Sequence, residues 1–103
     1  MYHITFYVPA KALEPVKQAL FNAGAGKTGA YDQCCWQVEG QGQYRPLAGS
    51  QPYAGQENIL SFEQEFKVEM VCEDQYIKQV ERALLAAHPY ETPAYAIIKM
   101  ENV

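Results

Sequence analysis

Two stretches of this chain alternate with a period of two, and a helical rhythm follows each of them. Tyr2, Ile4, Phe6 and Val8 point one way, and His3, Thr5 and Tyr7 point the other. Phe62, Phe66, Val68 and Met70 share a face with Gln64, while Glu63, Glu65, Lys67 and Glu69 take the opposite face. Such alternation marks strands with one side on a core. The covered side needs helices, and the other side must meet water or another subunit.

The helical rhythms supply that cover. Leu13, Val16, Leu20 and Ala23 recur on one helix face. Pro15 is tolerated only in a first turn, where backbone N–H groups lack partners, so the helix should start near Ala12. Gly24 is its natural stop. In the second helix Ile77, Val80, Leu84 and Ala87 recur, Asp74 is the expected cap, and His88-Pro89 ends the segment.

Between these units the pattern predicts a glycine-rich turn over 24–29 and a strand from Tyr31 to Glu39, with Cys34, Trp36 and Val38 on one face. A long loop from Gly40 to Asn58 should follow, and a last strand should run from Ala94 to Met100. Long unstructured connections are unusual in compact domains and often serve function or assembly. The order is β-α-β-β-α-β. This predicts an α+β, ferredoxin-like split βαβ fold: a four-stranded antiparallel sheet, two helices on one face, and a long loop between the second and third strands.

A length of 103 residues, 49% of them hydrophobic, suits one domain over 1–103 with one core. Met1-Tyr2-His3-Ile4-Thr5 has neither a basic nor an apolar leader segment, and no run is long enough to span a bilayer. A soluble, cytoplasmic protein without a membrane partner is expected. The net charge of −4 counts against nucleic acid, which requires a basic face. Cys34, Cys35 and Cys72 are odd in number and form no C-x-x-C, so reduced thiols are expected rather than a disulfide framework or a zinc site.

Several motifs carry chemical meaning. Gly24-Ala25-Gly26-Lys27-Thr28-Gly29 spells G-x-G-x-x-G, but it follows a helix and leads into a strand, the reverse of a dinucleotide fingerprint. Position 21 is Phe rather than the glycine that a phosphate loop requires. A helix stop with a tight turn explains the glycines, and a backbone anion site is the functional alternative.

His88-Pro89-Tyr90-Glu91 reads structurally as a helix end and turn. Functionally, His88 and Glu91 form a candidate acid–base or metal-binding pair. Cys35 and His3 complete the candidate metal ligands, for a divalent ion or copper. The stripe Glu63, Glu65 and Glu69 reads as a solvated or intersubunit face, with cation binding as its functional alternative. Abundant tyrosines outside the helices favour interfaces. No catalytic constellation is present.

These motifs, taken in order, resemble a known family. Gly24-Ala25-Gly26 with Gly29, Tyr31, Asp32 and Cys34 comes first. Gly40, Gly42, Tyr44-Arg45-Pro46-Leu47, Gly49-Ser50, Pro52-Tyr53 and Gly55 follow, then His88-Pro89-Tyr90-Glu91 with Pro93-Ala94-Tyr95. The set resembles the inserted domain of the YqfO-like family, the dinuclear-metal-centre proteins of the NGG-interacting-factor-three superfamily. The segment from Glu63 to Glu91 is also similar to the CutA family.

The resemblance implies a PII- or CutA-like fold that assembles into homo-oligomers, trimers first and dimers second. It places the family's two metal ions in a flanking domain that this length cannot hold, so no hydrolase activity is carried over. Thr92 stands where many relatives have a second glutamate, which weakens a metal reading. The expectation is a binding or regulatory module for a small molecule or metal ion, held where the Gly24–Gly29 turn, the Gly40–Asn58 loop and His88–Glu91 come together. The candidate ligand residues are Gly24, Gly26, Gly29, Tyr31, Arg45, His88, Tyr90 and Glu91. The alternative is a CutA-like protein binding a divalent metal or copper.

Overall fold

A computed structural model describes residues 1–103. Four strands form one antiparallel sheet: β1 (Tyr2–Pro9), β2 (Trp36–Tyr44), β3 (Ser61–Cys72) and β4 (Tyr95–Lys99), in the order β2-β3-β1-β4. The helices are α1 (Leu13–Ala23) and α2 (Ile77–Ala87), each entered through one turn of 3-10 helix. This is the expected α+β, ferredoxin-like arrangement.

One apolar cluster holds the layers together. Ile4, Phe6 and Val8 of β1, Val68, Met70 and Cys72 of β3, Leu13, Val16 and Leu20 of α1, and Val80 and Leu84 of α2 are all buried. Register explains which residues meet: Ile4 lies opposite Met70 and Phe6 opposite Val68, so both strands turn their apolar sets to the helices. Ala87, expected in the core, is exposed instead, because the chain leaves helical geometry at His88.

The end of α1 follows the glycine prediction closely. Gly24 adopts φ +119°, its N–H donates to the Phe21 carbonyl, and the Ala25 N–H donates to the Leu20 carbonyl. Those two bonds satisfy carbonyls that the helix end would otherwise strand, and only glycine enters this conformation without a steric penalty.

Three local expectations are corrected. The second strand starts at Trp36, not Tyr31, because Thr28 and Tyr31 bond each other across a tight turn and Gln33 takes φ +54°. Cys34 and Cys35 therefore precede the strand instead of alternating along it; Cys35 packs against the core and the Cys34 thiol reaches the Asp32 carbonyl. The strand also runs on to Tyr44, through Gly40 and Gly42, whose partners are Glu65 and Glu63. Glycine weakens strands but does not prevent pairing when the partner strand is long. Asp74 does not cap α2: its carboxylate pairs with the N-terminal ammonium and with Lys99, tying both chain ends to the start of the helix.

The β2–β3 ladder outruns the helices and projects as an arm, so the molecule measures 46 × 26 × 23 Å. At its tip, residues 45–60 fold back, with Pro46 buried and its carbonyl accepting the Asn58 N–H.

Gly24→Ala should destabilise the fold by more than about 1 kcal/mol in urea unfolding. The added methyl keeps a positive φ and comes within 2.7 Å of the Tyr76 ring. Gly49→Ala, also at positive φ but with open space around it, should cost less; equal losses would remove the packing part of this account.

Candidate functional site

His88 is 6% exposed and sits where α2 ends. Its Nε2 lies 2.7 Å from the Tyr7 carbonyl, and its Nδ1 accepts the Tyr90 N–H at 3.1 Å. Since Nδ1 accepts, the proton resides on Nε2 and is donated to Tyr7. Burial holds the imidazole pKa below its ordinary 6.5, opposed by the Tyr7 bond and the charge of Glu65. His88 is therefore a neutral structural group with both nitrogens engaged.

The turn that His88 fixes presents Tyr90 and Glu91. Tyr90 stacks at a tilt on His88, with ring centroids 4.8 Å apart, and its hydroxyl donates to Glu65 Oε2 at 2.6 Å. Burial first, and then this bond to Glu65, pushes the Tyr90 phenol far above its usual pKa, so it stays protonated. Glu91 Oε1 accepts the Gln51 N–H at 3.0 Å, which latches the 45–60 loop onto the turn. Tyr53 from that loop reaches within 5.7 Å of the Tyr90 ring, tilted by 48°. Tyr44 secures the loop's other side through its hydroxyl, which donates to the Ala54 carbonyl at 2.7 Å; burial and then Glu63 raise its pKa.

Together these contacts wall a cleft of about 290 Å³. Tyr7, Gly42, Tyr44, Pro46, Tyr53, Glu65, Tyr90, Glu91 and Ala94 are among the lining residues. Its floor is the face of the sheet that carries no helices, since Tyr7, Glu65 and Gly42 all lie on that face by register.

The remaining predicted residues are placed elsewhere. Gly24, Gly26 and Gly29 lie beyond the opposite end of β3, where the Gly26 N–H donates to the Val71 carbonyl. Six residues of strand separate Val71 from Glu65, roughly 20 Å. Within one chain the glycine turn does not reach the cleft. Tyr31 is 75% exposed on that turn. Arg45 is exposed on the arm and does not line the cleft.

The four candidate metal ligands stand apart. His88 is occupied, Glu91 holds the loop, Cys35 packs under the helices, and His3 lies 3.5 Å from Glu69 on the open face. No three His, Cys, Asp or Glu side chains cluster at ligating distance. Tyr44 and Tyr53 stand in the sequence only as part of the loop motif, and Glu65 only as part of an acidic stripe; the structure makes all three cleft residues. The signals available in sequence were the long loop itself and the surplus of tyrosines flanking it.

No family model matches the chain. It is 34% identical over 101 residues to the GTP cyclohydrolase 1 type 2 homolog of Staphylococcus epidermidis, covering 98% of this chain and 28% of that protein. It is 39% identical over 99 residues to the homolog of Bacillus subtilis, covering 96% and 26%. The chain thus spans little more than a quarter of these relatives' length.

Among solved structures, a NIF3-related protein of Bacillus cereus superposes with a TM-score of 0.83 at 31% identity, over 98% of this chain and 26% of that one. CutA1 of Pyrococcus horikoshii gives 0.71 at 16% identity, over 100% and 86%. The periplasmic divalent cation tolerance protein CutA of Archaeoglobus fulgidus gives 0.67 at 18% identity, over 100% and 87%. The chain is a relative of one segment of the NIF3/YqfO proteins, and it shares the fold of CutA.

The neutral imidazole makes stability depend on acid. The unfolded chain binds a proton at His88 near pH 6.5, whereas the folded chain resists it to lower pH. Stability from this group is complete above about pH 6.5 and is lost as pH falls toward the lower folded value. Urea midpoints should therefore drop between pH 7.5 and 5, and His88→Gln, less stable at pH 7.5, should show a flatter profile. An unchanged slope in the variant would refute the assignment.

Proposed function

We propose that this relative of the NIF3/YqfO segment is a self-associating binding module of the regulatory kind, acting in the cytosol on a small molecule held in the cleft beside His88–Glu91. The observation that carries the reading is the latch between Glu91 and Gln51, which closes a long loop over a concave, tyrosine-walled site. A loop of this length left free would lose that ordering, and pockets with a few convergent polar groups among aromatic walls are the usual form of small-molecule sites.

Self-association has separate support. The helix-free face exposes Trp36, Val38 and Ile98, at 63%, 45% and 60%. By register, Trp36 lies opposite Glu69, and Ile98 lies opposite His3, toward the far end of the sheet from the cleft. Large apolar side chains on an otherwise charged sheet face mark a contact surface. A homotrimer is the first expectation and a dimer the second. Three unpaired cysteines suit a reducing compartment, and the net charge of −4 disfavours a nucleic-acid partner.

Light scattering on a sizing column at micromolar concentration should give about three times the chain mass of 11.6 kDa. Trp36→Glu combined with Ile98→Glu should shift the particle toward the monomer. A wild-type monomer would defeat the association part.

For the binding part, a fragment library followed by amide NMR should move the signals of Gln51, Tyr53, Ala54, Tyr90 and Glu91 together. Responses confined to other surfaces, such as residues 24–31, would defeat it.

A further inference from the structure

Charge and geometry in the cleft restrict what it takes. Its only ionisable lining residues besides tyrosines are Glu65 and Glu91, and no lysine, arginine or histidine contributes to the wall. Glu91 spends Oε1 on the Gln51 N–H. Glu65 is more available. Its Oε2 accepts the Tyr90 hydroxyl, while its Oε1 carries no hydrogen bond from the protein.

The carboxylate lies directly over Gly42, where even a methyl group would stand 2.0 Å from Oε1. A glycine at position 42 is therefore a requirement of the Glu65 pose. Lys67, two residues along on the same strand face, forms no ion pair; it lines the adjoining concavity, which shares Tyr7, Gly42, Glu65 and Ala94 with the cleft, and it leaves Glu65 without a salt-bridge partner.

The walls have the complementary character. Tyr53 and Tyr90 make a tilted aromatic corner, and Tyr7 and Tyr44 border the same space. Faces of aromatic rings attract cations, and the attraction grows when water is excluded. An open carboxylate oxygen beside ring faces, in a volume of about 290 Å³, suits a small positive group. It disfavours phosphates and carboxylates, which would meet two like charges and no cationic side chain in the lining.

We propose that the cleft binds a compact organic ammonium ion, with its charge against Glu65 Oε1 and its alkyl groups on the Tyr53–Tyr90 corner. The proposal rests on the binding-module reading and names its ligand class. Tyr90 acts here as donor and wall: its hydroxyl orients Glu65 and leaves the second oxygen free. Gly42 acts by having no side chain.

Choline is the probe, and 3,3-dimethylbutan-1-ol is its uncharged isostere. Calorimetry and tyrosine ring NMR on the full chain should show choline binding with shifts at Tyr53 and Tyr90. The isostere should bind about tenfold more weakly, the scale of a partly desolvated cation–π and carboxylate contact.

Glu65→Gln, which preserves shape and can still accept from Tyr90, should lose choline affinity about tenfold and leave the isostere unchanged. Gly42→Ala should act similarly through displacement of the carboxylate, so the inference does not depend on one variant folding.

Equal binding of choline and isostere would overturn the ammonium proposal while leaving the binding module standing. Absence of choline binding, with fragments still moving the Gln51–Ala54 and Tyr90–Glu91 amides, would do the same. Silence from both choline and the fragments would remove the proposal together with the reading beneath it.

Discussion

The hydrogen bond from His88 to the Tyr7 carbonyl sets the geometry of everything at one end of the sheet. In a strand, the N–H and C=O of one residue point toward the same neighbour. At Tyr7 that neighbour is β4, whose ladder with β1 closes at the pair Phe6–Tyr95; beyond it the Tyr7 N–H reaches Ala94 at 3.3 Å. The chain then turns away, and without the imidazole the half-buried Tyr7 carbonyl would lose its partner. Leaving such an acceptor buried costs roughly 1–3 kcal/mol. The imidazole takes the place of the missing strand residue, and its other nitrogen holds the turn that follows. The positions of Tyr90 and Glu91, and through them of Glu65 and the loop, descend from this one ring.

That dependence explains which parts of the molecule were legible in sequence. Alternation in Tyr2–Val8 and Phe62–Met70 reports burial on one face, a local property of each strand, and the structure follows it except at Phe62, which lies on the arm beyond the helices and is 52% exposed. Gly24 is similarly legible because a helix must end in some way, and glycine is its cheapest left-handed residue. The strand through Gly40 and Gly42 was not legible. Propensity there is poor, and pairing is decided by β3, some twenty positions away in sequence. The cleft is harder still to foresee, because Glu65, Tyr90 and Tyr53 come from three separate segments. The His-Pro-Tyr-Glu string identified one wall, but the string that looked most like a ligand loop, Gly24–Gly29, serves the other end of the sheet.

The same physics separates what His88 does from what its residue type suggests. A histidine followed by a glutamate three positions on invites a metal or proton-transfer reading. Here both ring nitrogens are committed to the backbone, and burial keeps the ring neutral. Glu91 is committed as well, to a loop amide. Of the two residues with the most chemical potential by type, His88 holds the turn behind the wall and Glu91 ties down the loop, and the free acceptor falls on Glu65, a residue that reads in sequence as one member of a solvated stripe.

An ionised carboxylate on a sheet surface ordinarily needs no explanation, since water satisfies it. Glu65 differs because three features of the fold bear on its carboxylate. Tyr90 covers one oxygen, Gly42 lets the group lie flat against the strand, and the latched loop closes the space above it. Two of these features cost something in isolation: a glycine within a strand and a long loop held down. A fold selected for stability alone would gain by replacing them. Their convergence on one oxygen atom, at the end of the sheet away from the exposed Trp36 and Ile98, assigns the two ends of the open face different work. On the reading proposed above, one end supplies contact area for another copy, and the other keeps an acceptor available for a ligand that carries its own positive charge.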